Sequence, residues 1–438
     1  VANDKVFCNL PWFEININHD GSYDICGCQV NKLVYTPLGK VHNIKKVPIN
    51  EYWNGDRMKE ARLRKLGDEP DPMCAMCQVK DEVGYASTRV KENYKSVIFP
   101  VAFHRSFQQS PNFPLFDFSA KNFGLTTSVP KSLHLNIGHT CNFACRMCGP
   151  AASSRLQQEY KELKWADKDQ LYDHWTDDPR GWQNFLDFLD QSGDQISVIH
   201  VIGGEVGFIP KFFELIDLYI NRGWAKNLNL SFTSNGSIDY TIHNDKLSQF
   251  KRCEIGFSIE SVNHLGDYIR RGGDILSILK NIQKAIAHQT TNQQFVIRTV
   301  PSVMSLLDYD DLIIWSLSNN IPVDNSILVN LPWLRADILP YETKLEIRNR
   351  VQKLKDSITV PVTNQAPVQK DPTRIALSII NECDAIIGLT SRERPANADQ
   401  LLKECASKLS QWDQMKGINL KDFSFPLYTL LSKYGYQA

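Results

Sequence analysis

Cys141, Cys145 and Cys148 lie within eight positions of one another in CNFACRMCGP, a C-x3-C-x2-C spacing with no fourth cysteine nearby. Thiolates grouped in this way hold zinc or iron-sulfur clusters. A structural zinc is closed by four ligands, commonly from two C-x2-C pairs, whereas this loop supplies three. On a cubane of four irons, three ligands leave one iron open to a small molecule. The missing fourth thiol is therefore read as a functional feature.

A second group, Cys8, Cys26, Cys28, Cys74 and Cys77, occupies the first eighty residues. CNLPWFEININHDGSYDICGC reads as an alternating strand, a turn at Asp20 and Gly21, and a second strand ending in cysteine. NEYWNGDRMKEARLRKLGDEPDPMCAMC reads as a helix, a Pro-rich break and a C-x2-C pair. Hairpin ends are good places to hold a metal, and one centre takes Cys8, Cys26 or Cys28, Cys74 and Cys77. A four-cysteine zinc site suits the same ligands. Cys253, Cys383 and Cys405 stand alone and are read as small buried apolar residues.

The elements that position the trio begin at residue 131. Six short β-branched runs, SLHLNIG, ISVIHVIGG, LNLSFTS, EIGFSIE, FVIRTV and SILVN, alternate with amphipathic helical patterns. The clearest helix, DILSILKNIQKAIAH, places Ile275, Leu276, Leu279, Ile282 and Ile286 on one face. Repeated βα units imply a parallel sheet, either open and doubly wound or a full or partial barrel. Both architectures put active residues at the carboxyl ends of the strands. Cys141 follows the first of these strands, where chemistry is expected.

The stretch 104–130 has two internal prolines and no sustained period, so it reads as a connection whose phenylalanines pack on something. The expected organisation is a cysteine-rich unit over 1–95, a connecting segment over 96–130, the βα unit over 131–338 and a helical region over 339–438. Lys+Arg and Asp+Glu both count 49 and no basic run is present, so nucleic acid is not an expected partner. No apolar stretch reaches the ~18 residues of a membrane span, and VANDKVFCNLPWF lacks the pattern of a signal peptide. The expected location is cytoplasmic, where disulfides are rare and clustered cysteines mean metal.

These residues resemble the radical S-adenosylmethionine (SAM) enzymes, whose signature is the C-x3-C-x2-C loop after the first strand of a partial (β/α)6 TIM-like barrel. The resemblance extends to GGE at Gly203, Gly204 and Glu205, to FTSNG with Ser234 and Asn235, and to FSIES with Ser258 and Glu260. It also takes in the D-x-x-R ending at Arg270. It implies that Glu205 accepts from the SAM amino group, that Arg270 pairs with its carboxylate, and that Ser234, Asn235, Ser258 and Glu260 face its ribose and methionine atoms. Cys141, Cys145 and Cys148 would hold the SAM-binding [4Fe-4S] cluster.

The first ninety residues are similar to the SPASM/twitch extension of peptide-modifying members, here placed ahead of the barrel. That likeness implies an auxiliary [4Fe-4S] cluster on Cys8, Cys26, Cys74 and Cys77, with Cys28 as the alternative to Cys26, and so two clusters in all. The implied activity is reductive cleavage of SAM to a 5′-deoxyadenosyl radical that abstracts hydrogen from a substrate C–H bond. The substrate is read as a peptide or protein side chain, with a small metabolite as the alternative, and the reductant as a flavodoxin or ferredoxin. A non-catalytic iron-sulfur or zinc protein for electron relay or redox sensing is the competing class, and it has no need of the strand-end motifs. Trp333 and Arg335 are candidates for the substrate side. His134 and His200 are read as satisfied core histidines. The helical 339–438 region is read as a scaffold or lid.

Overall fold

The computed structural model describes residues 4–28, 42–67, 71, 74–82, 84, 86–99, 102–165, 173–328, 331–360 and 372–438. Eight strands form one sheet: β1 (Glu14–Ile17), β2 (Tyr23–Asp24), β3 (Ser132–Asn136), β4 (Val198–Ile202), β5 (Asn229–Ser234), β6 (Arg252–Ser258), β7 (Gln293–Thr299) and β8 (Val323–Asn325). Their order is β2-β1-β3-β4-β5-β6-β7-β8. β3 to β8 are parallel and neighbour one another in chain order. A doubly wound sheet reverses direction at a switch point; this one does not, so it winds as a barrel does and stays open between β2 and β8.

Five of the six expected strands fall where the β-branched runs lie. The sixth is displaced: the strand is Val323–Asn325 and SILVN follows it, with 329–330 outside the described residues. β8 pairs with β7 over three residues only, from Ile297 to Thr299, and the Ser326 amide then closes onto the Thr299 carbonyl at 2.8 Å. The clearest helix spans Ile275–Ala287, but its buried face is Ile275, Ile278, Leu279, Ile282 and Ala285. Leu276 is 67% exposed, one step off the core-facing stripe. The 104–130 stretch folds into helices Phe103–Gln109 and Phe113–Lys121, with Pro114 in the first turn of the second, where a missing N–H costs nothing. Phe103 and Phe116 pack with Phe7, Trp12 and Ile98 in a small separate core.

Alternation sorts the parallel strands into two faces. Leu133, Leu135, Ile199, Val201, Leu230 and Phe232 are buried in the main core. Asn16, His134, His200, Ser231 and Glu254 lie in one register row on the other face. His134 Nδ1 is 2.5 Å from Asn16 Oδ1, His200 Nδ1 is 3.0 Å from Ser231 Oγ, and Arg298 reaches His200 Nε2 at 3.1 Å and Glu254 Oε1 at 3.0 Å. Both histidines are thus satisfied, and burial holds the His134 imidazole down at about 4, hence neutral.

The hairpin β1–β2 joins this sheet directly, with β1 parallel to β3. At the other edge two helices reach β8: from Ala75–Glu82, Lys80 Nζ donates to the Asn325 carbonyl at 2.7 Å, and from Thr88–Lys95, Lys91 pairs with Asp324 at 3.0 Å. The N-terminal residues therefore touch both edges of the open sheet. Among the described residues no helix is long and apolar enough to cross a membrane.

Candidate active site and auxiliary thiols

The trio loop leaves β3 at Asn136 and is held by backbone bonds from both sides. Ala144 N donates to Arg271 O at 2.8 Å and Arg146 N to Ile269 O at 2.9 Å, tying the loop to the segment after β6. Ser153, the N-cap of helix Ser154–Glu162, donates its hydroxyl to Phe143 O at 2.6 Å. Cys145 is buried, and Cys141 and Cys148 are half-buried. Burial pushes the Cys141 thiol up to about 11. A hydrogen bond shared by Cys145 and Cys148 raises the first and lowers the second.

The strand ends after β4, β5 and β6 converge on this loop. Gly204 N donates to Gly138 O at 2.9 Å and Glu205 N to Thr140 O at 2.8 Å. A Cβ on Gly204 would stand 2.3 Å from Thr140 O, so the glycine is required by the close approach of the two loops. The Glu205 side chain is fully buried and accepts from Asn235 N and from Tyr240 Oη, each at 2.6 Å. Burial raises its carboxyl above the ordinary range, and these bonds oppose the rise.

Asn235 reaches the trio itself, with Nδ2 3.8 Å from Cys141 Sγ and 2.8 Å from Asn142 Oδ1. Ser234 Oγ accepts from Gly236 N at 3.0 Å, shaping that turn. Ser258 closes β6, half-buried and in register with Arg298. Arg270 is gripped by Glu260 through two bonds, Nε to Oε2 at 2.5 Å and Nη2 to Oε1 at 2.7 Å, which leaves Nη1 facing Cys145 Sγ at 3.8 Å. Seven of the eight expected SAM-side residues thus stand at or just after the ends of β4, β5 and β6, Arg270 caps the helix His264–Ile269 that follows β6, and Asn235 and Arg270 touch thiols. The Arg270–Glu260 pairing was not anticipated, because each was assigned to a different part of SAM.

A second support comes from the C-terminal helices. Arg146, inside the trio, is fully buried; it pairs with Asp413 on helix Ala398–Lys416 and lies 3.9 Å over the Tyr268 ring. Asp413 also accepts from Tyr268 Oη at 2.8 Å and Tyr436 Oη at 2.6 Å. The segment LSQWDQMKG, which carries no chemical signal of its own, is where the scaffold grips the cysteine loop. Trp333 is buried beside that helix, whereas Arg335 pairs with Asp337 on the wall of a cavity of about 190 Å³ shared with Val79 and Arg392.

The N-terminal thiols come from three segments. Cys28 is hydrogen-bonded to Cys26 and Cys77, and Cys8 feels the charges of Cys74 and Cys77. Cys28 Sγ also donates to Thr88 Oγ1 at 3.2 Å. The turn through Gly27 lies on the polar face of the sheet, since a Cβ there would meet the His134 ring at 2.7 Å. All five thiols therefore gather at one place, with both Cys26 and Cys28 in reach. Soft thiols gathered on polar ground fit an iron-sulfur cluster. Among the described residues no three or more His, Cys, Asp or Glu side chains are spaced to hold a single metal ion.

A parallel sheet wound in chain order, with three thiols on the loop after β3 and polar side chains around them, fits the radical SAM enzymes that the sequence resembles. Residues 135–301 match the Radical SAM superfamily and residues 8–78 match SPASM, an iron-sulfur cluster-binding domain. The chain thus carries a Radical SAM domain, with a SPASM domain ahead of it in the sequence. Among solved structures it is similar to TYW1 with a lysine-pyruvate adduct bound (13% identity, TM-score 0.32, 55% of this chain and 78% of that one). It is also similar to anSMEcpe with bound AdoMet (13%, 0.38, 51% and 60%) and to Streptococcus suis SuiB bound to precursor peptide SuiA (13%, 0.36, 68% and 63%). The chain thus spans less than two thirds of the length of the latter two. A comparison with curated proteins finds no match.

Proposed function

We propose that this enzyme cleaves SAM at the trio and uses the resulting radical on a peptide or protein side chain, with one auxiliary [4Fe-4S] cluster on the N-terminal thiols. The observation that carries the reading is the contact of Asn235 and Arg270 with Cys141 and Cys145, both at 3.8 Å, on a loop that offers three thiols. When bound, the cluster and SAM supply one-electron cleavage to a 5′-deoxyadenosyl radical, which takes hydrogen from a substrate C–H bond.

The chain's own residues fix the geometry. Cys141, Cys145 and Cys148 hold the cluster; Asn235 and Arg270 flank it; Glu260 orients the Arg270 fork. Gly203, Gly204 and Glu205 shape the neighbouring wall, while Ser234 and Ser258 present hydroxyls from the ends of β5 and β6. Cys8, Cys74 and Cys77, with Cys26 or alternatively Cys28, hold the auxiliary cluster. The SPASM domain supports a peptide substrate, since the extension is typical of peptide-modifying members.

The test is release of 5′-deoxyadenosine on anaerobic addition of SAM and dithionite. Wild type is expected to release it, and Cys145→Ala to release none while keeping its N-terminal iron. Release by Cys145→Ala at the wild-type rate would show that the site is wrongly placed. Hydrogen transfer from deuterated small metabolites, with none from peptides, would replace the peptide substrate by the small-molecule alternative.

A further inference from the structure

The auxiliary thiols have a cationic neighbour of a kind the trio lacks. Lys65, in the last turn of helix Asp56–Leu66, is 3% exposed, and its Nζ donates to Cys74 Sγ at 3.0 Å. Asp71, a carboxylate whose charge also acts on Lys65, is buried and pairs with Arg57 at 3.2 Å. A buried ammonium is costly unless an anion faces it. Four thiolates on a [4Fe-4S] core make such an anion, and reduction adds one more negative charge. At the trio, by contrast, the cation facing a thiol is Arg270, whose charge is already balanced by Glu260 at 2.5 and 2.7 Å.

We infer that Lys65 is a positioning residue for electron transfer: its ammonium balances the thiolate charge of the auxiliary cluster, stabilises the reduced form and raises the reduction potential of that centre. One electron enters the oxidised cluster, and no bond is made or broken. The inference rests on the proposed auxiliary cluster. It makes that centre the better electron acceptor of the two.

The experiment uses the full chain with Cys141, Cys145 and Cys148 all replaced by alanine, so that the remaining EPR signal belongs to the auxiliary cluster. Iron and sulfide are measured first. About four irons per chain show that the cluster is present, whereas none would overturn the auxiliary-cluster reading itself, and this inference with it. Given the cluster, EPR-monitored redox titration is expected to show a more negative midpoint for Lys65→Met and for Lys65→Gln, and a midpoint close to the parent for Lys65→Arg. An unchanged midpoint in Lys65→Met overturns the proposal, and so does one in Lys65→Gln, which keeps a hydrogen-bond donor without the charge. Where neutral variants lose their iron, iron content becomes the readout: retention in Lys65→Arg supports the charge requirement, and equal loss in Lys65→Arg overturns it.

Discussion

The trio draws its three thiols from one loop of eight residues, whereas the N-terminal group draws five from three segments spread over residues 8 to 77. The trio loop is braced by distant parts of the chain, chiefly Asp413 acting on Arg146. The N-terminal thiols are braced locally, around Arg62, which is fully buried and donates to the carbonyls of Pro11, Trp53 and Gly124 at 2.9, 2.8 and 3.1 Å. Their charges differ in the same sense, with a neutralised Arg270 at one centre and a thiolate-facing Lys65 at the other. One lesson is that local spacing brings ligands together cheaply but leaves orientation to tertiary partners. The second is that a dispersed ligand set needs a dedicated core, here the Phe7, Trp12 and Phe116 cluster.

Each brace can be removed separately, and the comparison predicts which centre fails. The largest effect is expected from Asp413→Ala, which leaves Arg146 buried and unpaired at a cost of about 3–5 kcal/mol. Iron analysis should show loss at the trio with the auxiliary iron kept, and urea unfolding should show the loss of stability. Wild-type stability and full iron in this variant would remove Asp413 from the account.

Next is the seam between barrel and auxiliary helix, where Glu382 accepts from Tyr309 Oη and Asn325 Nδ2, and Asn325 O in turn accepts from Lys80. Burial lifts the Glu382 carboxyl to about 7. A carboxyl raised on folding stabilises fully below its unfolded value, and that contribution is lost as pH rises through about 7. Relative to Glu382→Gln, the wild type should lose about 2–3 kcal/mol between pH 4.5 and pH 8, read from denaturant midpoints. A difference that does not vary with pH contradicts the assignment.

Arg62→Met strips donors from buried carbonyls at about 1–3 kcal/mol each, partly recovered by apolar packing, and should thin the auxiliary iron while the trio keeps its own. The smallest change in overall stability is expected from exchanging the two neighbouring thiols. Cys26→Ala should lose the auxiliary iron and Cys28→Ala should keep it; the opposite result makes Cys28 the ligand.

The sequence showed the trio, its place after a strand, and the strand-end residues around it, because each depends on spacing within a few positions or on a β-branched run. What it hid were partners chosen across the fold. Arg146 and Asp413 are 267 positions apart, and nothing in LSQWDQMKG marks its aspartate. Arg270 and Glu260 were both singled out, yet their mutual grip follows from the turn after β6 and not from their types. Leu276 was placed on the buried face because it is apolar, while Ile278 was left off it; burial followed the helix rotation instead. The prolines at 111 and 114 suggested a connection with no sustained period, but proline in a first turn starts a helix as readily as it ends one. Lys65 looked like one more charge on a polar helix until its burial against Cys74 was seen.

The central claim is that the molecule holds two iron-sulfur centres on separate thiol sets, of which only the trio cleaves SAM. The most direct measurement is anaerobic iron, zinc and sulfide analysis of three full-length chains: wild type, the chain lacking Cys141, Cys145 and Cys148, and the chain lacking Cys74 and Cys77. The account predicts about eight irons with matching sulfide in the first and about four in each of the others, with zinc in none. Zinc on the N-terminal thiols, or a trio-less chain that still holds about eight irons, would contradict it.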